Sequence, residues 1–126
     1  MADSVDIVRG AYAAFGRGDI GAILEVLDDS VQWSSPATLP QGGDFTGKAG
    51  VVQFFEAVGA AWKVLDLEVE SVGAIDDGLV VGIVSGSGSL QSGEPAQYGA
   101  AHAFAIANGK ITSFREFVDL DRALER

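Results

Sequence analysis

The chain has 126 residues, 48% of them hydrophobic, and carries 18 acidic against 8 basic residues for a formal charge of −10. That length bounds it to one domain with a single core, and the charge, with no Lys/Arg cluster to offset it, excludes nucleic acid and anionic membrane surfaces as partners. Cysteine is absent, which removes disulfides, thiolate nucleophiles and zinc knuckles; no leader segment and no apolar run near ~20 residues is present, so a cytoplasmic location is the expectation.

Residues 4 to 16 read as an amphipathic helix, capped by Asp3 or Ser4, with Ile7, Val8, Ala11 and Phe15 at helical spacing and Gly16 and Gly18 at its end. Asp19 caps a short second helix that places Ile20, Ile23, Leu24 and Leu27 on one side and stops at Asp28 and Asp29. Val31, Gln32 and Trp33 form a short strand cut off by Ser34, Ser35 and Pro36, and residues 37 to 43 are a loop. Phe45 introduces a third helix, capped at Thr46 or Gly47, whose stripe of Val51, Phe54, Phe55, Val58 and Trp62 is broad enough to lie across a sheet.

The second half changes character. Residues 65 to 75 and 79 to 90 flank Asp76-Asp77-Gly78, and residues 96 to 107 and 110 to 118 flank Asn108-Gly109, which are strong hairpin signals. The serines and glycines of residues 85 to 90 follow a strand pattern with no helix or lysine behind them, which argues against a phosphate loop. Helices first and antiparallel strands second predict an α+β domain with helices covering one face of a curved sheet.

His102 is the only histidine. A two-residue turn at Asn108-Gly109 pairs Ile106 with Ile111, Phe104 with Ser113, His102 with Arg115, Ala100 with Phe117 and Tyr98 with Asp119, and paired side chains share a face. One face then carries Tyr98, His102, Arg115 and Asp119 among Phe104, Ile106, Ile111 and Phe117, as a pocket lining would. The other carries Gly99 and alanines opposite Thr112, Phe114, Glu116 and Val118, flat enough for a second subunit. A mean hydropathy of +0.25 points the same way, to apolar surface covered by a ligand or another copy. The assignment depends on register, which a single bulge would shift.

Each residue also has a plainer reading. His102 serves as well as a hydrogen-bonded structural histidine, Arg115 and Asp119 as an ion pair at a sheet end, Tyr98 as packing, and Trp33 and Trp62 as core or pocket wall.

The stretches AYAAFGRGDIGAILEVLDDSVQW, GDFTGKAGVVQFFEAV and HAFAIANGKITSFREFVDLD together resemble the SnoaL-like branch of the ketosteroid-isomerase and nuclear-transport-factor-like superfamily. The resemblance spans nearly the whole chain and implies a cone-shaped α+β barrel: a curved sheet around three helices, an internal apolar cavity, and frequent dimerisation. That scaffold hosts isomerases, cyclases, hydrolases and non-catalytic modules, so it is specific for fold and poor for function. Ketosteroid isomerase uses an aspartate base with a tyrosine and a protonated aspartate as oxyanion hole. By resemblance the base position falls at Ser35 before Pro36, the tyrosine at Ala11 with Tyr12 one step away, and the second aspartate at His102. That mechanism is therefore not expected intact. An aspartate near the end of the last strand, as SnoaL-like cyclases use, corresponds to Asp119. Limonene-type epoxide hydrolases pair an arginine with two aspartates, and here Arg115 and Asp119 have no second interior carboxylate.

The leading expectation is a cofactor-independent, metal-free acid/base enzyme of isomerase, cyclase or hydrolase type acting on a small apolar molecule. In it His102 is the general acid/base, Asp119 its partner or the base, Arg115 the stabiliser of negative charge and Tyr98 the positioning group. Tyr12, Phe15, Trp33, Phe55, Trp62, Phe104 and Phe117 form the pocket. The alternative is a non-catalytic dimeric module that binds a ligand or protein through the same cavity. In either case a homodimer through the outer sheet face is expected.

Overall fold

The computed structural model describes residues 3 to 118. Helix α1 (Ser4–Gly16) starts where the Asp3 carboxylate accepts from the Asp6 N–H, and α2 (Ile20–Glu25) starts where Asp19 accepts from the Ala22 N–H. Each cap satisfies one of the amide donors that the first turn leaves without a partner. Strand β1 (Leu27–Ser35) begins four residues earlier than expected, so Leu27, Asp28 and Asp29 belong to it and not to the end of α2. Strand β2 (Gly43–Thr46) was not anticipated; a four-residue strand beginning on a glycine has too little periodicity to register. It leads into α3 (Gly47–Ala61), and Trp62, expected on that helix, instead opens β3 (Trp62–Asp76).

The remaining strands, β4 (Leu79–Leu90), β5 (Pro95–Ala107) and β6 (Lys110–Val118), lie where the hairpin signals place them. Asn108 and Gly109 both adopt positive φ, 54° and 75°, as a type I′ turn requires. The six strands form one open mixed sheet in the order β2-β1-β6-β5-β4-β3, with β1 parallel to β6 and every other pair antiparallel. The three helices cover one face, α1 across β3 and β4 and α3 across β1 and β2. Val8 of α1, Val51 of α3, Val31 of β1 and Val80 of β4 are fully buried between the layers, each contributing about 1.5–3 kcal/mol by leaving water. No helix among the described residues is long and apolar enough to cross a membrane.

One detail of the β5–β6 hairpin decides the site. Ile106 pairs with Ile111, but Ala105 pairs with Ser113, leaving Thr112 as an extra residue in β6. From there on the partners differ from a regular count: Phe104 faces Phe114, His102 faces Glu116 and Ala101 faces Phe117. The bulge turns Phe114 and Glu116 inward and Arg115 and Phe117 outward. Phe117 is 49% exposed and carries the Arg115 guanidinium 5.4 Å above its ring.

Candidate active site

Between the helices and the sheet lies a cavity of ≈ 70 Å³. At ~30 Å³ per water that is the space of about two waters. Helix α1 contributes Ala11, Tyr12 and Phe15, α3 contributes Phe54, Phe55 and Val58, and the sheet closes it with Trp33, Leu65, Leu67, Phe104 and Phe114. Four other polar residues reach it: Gln41, Tyr98, His102 and Glu116.

His102 projects inward from β5 and is 4% exposed. Its Nε2 lies 2.8 Å from Oε2 of Glu116 on the facing strand, and its Nδ1 lies 2.8 Å from the Tyr12 hydroxyl on α1. The other oxygen of Glu116, Oε1, accepts from the Ser35 hydroxyl at 2.6 Å. The result is a continuous buried chain, Tyr12–His102–Glu116–Ser35, running from the helix layer into the sheet.

The partners assign the protons. An ionised Glu116 only accepts, so Nε2 carries the hydrogen it receives; in the neutral ring Nδ1 is then the acceptor, and Tyr12 donates to it. A second proton on the ring makes Nδ1 a donor as well and frees the Tyr12 hydrogen toward the cavity. Burial and, secondarily, the Glu116 charge raise Tyr12 well above the ordinary tyrosine range. Tyr98 is raised by the same two causes, with the neighbouring Gln41 side chain acting in the opposite direction.

The histidine is thus placed as expected, but its partner is not. Arg115 points outward and takes no part in the cavity, because the Thr112 bulge shifts its pairing from His102 to Ala103. Phe117 leaves the pocket for the same reason. Asp119 lies outside the described residues. Tyr12, Phe15, Trp33, Phe55, Phe104 and Tyr98 line the cavity as expected. Trp62 stands one step back: it is buried, 6.0 Å from the Tyr98 ring, and its indole N–H donates to Gln41 Oε1 at 3.1 Å.

Glu116, Gln41 and the engaged state of Ser35 were missed. A signal for Glu116 was present in β6 itself, since Ile111 and Phe114 are three apart and can share a buried face only across a bulge. Ile111 and Phe117, six apart, satisfy a regular strand equally well, and this is the reading that misplaced the pair. Gln41 sits in a Pro- and Gly-containing loop, where no periodicity marks an inward side chain.

Tyr12 comes within reach of His102 because β4 thins beneath it. A methyl group on Gly82, which pairs with His102, would overlap the Tyr12 hydroxyl and lie 3.0 Å from two of its ring carbons. Only a glycine there lets α1 settle onto the sheet at this depth.

Comparison with known proteins agrees with this architecture. A protein of Mycobacterium tuberculosis, the uncharacterized protein Rv0034, is 28% identical over 114 residues, covering 90% of this chain and 86% of the relative. An NTF2-like protein of Burkholderia thailandensis superposes with a TM-score of 0.88 at 24% identity over the full length of both chains. Bal32a, from a soil-derived mobile gene cassette, superposes with a TM-score of 0.79 at 28% identity, covering 89% of this chain and 86% of that one. The model of the SnoaL-like domain matches residues 8–114, and with that span of the chain accounted for, the protein belongs to the SnoaL-like family.

Proposed function

We propose that the protein binds a small, neutral, largely apolar molecule in the cavity and moves a proton on it through Tyr12, His102 and Glu116, as a cofactor-independent enzyme of isomerase or cyclase type. The observation that carries this reading is an imidazole held at 2.8 Å on both nitrogens, by a phenol and by a carboxylate, in the wall of an apolar cavity. With both nitrogens engaged, His102 meets the ligand through Tyr12. A C–H proton next to a ligand carbonyl passes to the Tyr12 oxygen as the Tyr12 hydrogen passes to Nδ1. The C–H electron pair becomes the enolate, Tyr12 ends unchanged, and an imidazolium remains beside Glu116. The reverse transfer returns the proton to another ligand atom. The raised proton affinity of Tyr12 suits a relay that never stands as a phenolate. Glu116 takes the role expected of Asp119, and Ser35 holds it in place from behind. Tyr98 orients the ligand.

Deuterium exchange next to the carbonyl of small ring ketones, followed by NMR in D2O, tests the reading. Wild-type protein is expected to accelerate exchange, and Tyr12→Phe and Glu116→Gln to lower the rate by about 10²–10⁴, the usual worth of a positioned acid or base. Ketone binding without accelerated exchange would overturn the enzymatic reading and leave a non-catalytic binding module. One observation favours that second reading: every polar group of the chain from Tyr12 to Ser35 already has a protein partner.

We further propose that the protein is a homodimer through the outer sheet face. The outward positions of β4 from Leu79 to Ser87, of β5 from Gln97 to Ala105 and of β6 from Ser113 to Phe117 carry no carboxylate. On the same face the edge strand β3 sets Asp66 and Glu68 opposite Ser87 and Ser85, and Glu70 accepts from the Ser85 hydroxyl, so in a chain of charge −10 the uncharged middle of the sheet, away from β3, is where two copies meet with least repulsion.

A further inference from the structure

Enolate formation, as proposed above, puts negative charge on a ligand oxygen inside an apolar wall and near the buried carboxylate of Glu116. Arg115, expected to meet that charge, points outward, and no lysine or arginine lines the cavity among the described residues. A neutral hydrogen-bond donor is left to do so. Most polar hydrogens around the cavity are already engaged: Tyr12 donates to His102, His102 Nε2 to Glu116, and the Ser35 hydroxyl to the same carboxylate from behind. The indole nitrogen of Trp33 is buried away from the cavity space. What remains is the Tyr98 hydroxyl, with the Gln41 amide beside it.

Three contacts fix where Tyr98 stands and which way its hydrogen turns. A methyl group on Gly86, which pairs with Tyr98 across β4 and β5, would lie 2.6 Å and 2.7 Å from two carbons of the Tyr98 ring and 3.0 Å from its hydroxyl oxygen. The ring therefore rests on bare backbone, which gives one glycine of the run of residues 85 to 90 a structural task. The Trp62 ring packs 6.0 Å from that of Tyr98, and its N–H donates to Gln41 Oε1 at 3.1 Å. An indole nitrogen only donates, so the Gln41 amide keeps its NH2 group for Tyr98. Burial, and then the Glu116 charge, raise Tyr98, and a hydrogen bond with Gln41 works against them, the direction produced by a bond donated to the phenol oxygen. With that oxygen accepting from Gln41, its own hydrogen turns away from Gln41 and is left for a ligand.

We infer that Tyr98 is the catalytic donor to the ligand's carbonyl oxygen, holding the charge of the enolate, and that Gln41 is its positioning residue, clamped in turn by Trp62. This rests on the proton-transfer reading above and adds the group that stabilises its intermediate. As charge moves onto the ligand oxygen, the bond donated by Tyr98 strengthens, and the bond that Tyr98 accepts from Gln41 strengthens with it. The hydrogen stays on Tyr98 throughout, so the proton balance of the Tyr12 relay is unchanged.

A cavity this small calls for small probes: cyclobutanone labelled with carbon-13 at its carbonyl, and methylenecyclobutane, which has the same shape and no oxygen. A carbonyl carbon resonates further downfield when its oxygen accepts a hydrogen bond. The ketone bound to wild-type protein is expected downfield of the ketone bound to Tyr98→Phe, with Gln41→Leu between them. Deuterium exchange next to the carbonyl should drop about 10²–10³-fold in Tyr98→Phe, the usual worth of one such donor, and roughly three- to tenfold in Gln41→Leu. Methylenecyclobutane should bind wild type and Tyr98→Phe with equal affinity, which shows that the cavity keeps its shape. Gly86→Ala, which pushes the Tyr98 ring aside without touching a polar group, should lose the downfield shift as Tyr98→Phe does.

Equal carbonyl shifts for ketone bound to wild type and to Tyr98→Phe would overturn the donor assignment, and a wild-type shift in Gln41→Leu would overturn the positioning role, while the cavity remained a binding site in both cases. Bound ketone without accelerated exchange in the wild-type protein would remove the enzymatic reading and the catalytic part of this inference together. If neither probe binds, the cavity reading itself fails and this inference falls with it.

Discussion

The two tyrosines of this chain, Tyr12 and Tyr98, have different places in the cavity wall, one in the proton chain with His102 and one beside Gln41. Both are held above the ordinary tyrosine value near ~10, first by burial and then by the charge of Glu116. An ultraviolet titration of tyrosinate therefore reads the site without interference. Neither group should ionise in the ordinary range while the protein is folded, and Glu116→Gln should lower both only in part, since burial is the larger cause. A tyrosine titrating near ~10 in the folded protein would contradict the burial and charge assigned here. The consequence for stability has a definite sign. Below about pH 10 folded and unfolded chains both keep their phenol protons and the contribution is constant. Above it the unfolded chain releases them while the folded chain retains them, so denaturant midpoints should fall with rising pH until the folded tyrosines ionise as well.

At the scale of elements, the site is made by a helix lying on a sheet and by one extra residue in a strand. Gly82→Ala tests the first. The added methyl would drive Tyr12 off His102, and an overpacked interior of this kind costs about 1–3 kcal/mol. Loss of the Tyr12 contact should appear as a changed His102 ring signal, His102 being the only histidine. Gly73→Ala on β3, where an added methyl meets nothing within 4 Å, should leave stability and the His102 signal near wild type. The second device, the Thr112 bulge, explains how much of the site could be read from sequence. Asn108-Gly109 announced the hairpin and its turn type correctly, and the inward row Tyr98, His102, Phe104 and Ile106 followed from alternation alone. The facing row did not, because two-residue periodicity carries no memory across an inserted residue. Arg115 and Phe117 were therefore expected inside, and Glu116 and Phe114 outside. The backbone hydrogen bond from Ile111 N–H to the Val26 carbonyl, and the pairing of Ile111 with Leu27, tie the start of β6 to β1 just before the bulge.

For the whole molecule, the same bulge gives the outer face its character, setting Arg115 and the half-exposed Phe117 beside the alanines of β5. Sedimentation equilibrium is expected to show a dimer, and Phe117→Asp, which places a carboxylate on a face that has none among its central positions, should shift it toward monomer. Retention of the dimer in Phe117→Asp would move the interface elsewhere. The amino-acid sequence by itself determined the order of the three helices and of every strand but β2, the hairpins at Asp76-Asp77-Gly78 and Asn108-Gly109 and the inward direction of His102, because capping residues, turn dipeptides and hydrophobic periodicity act between near neighbours in the chain. Tertiary structure alone decided which groups meet His102. Tyr12 reaches it from 90 positions away and Glu116 from a strand whose register an unpaired residue resets. Contacts of that kind depend on how layers dock and strands align, and no local pattern records either.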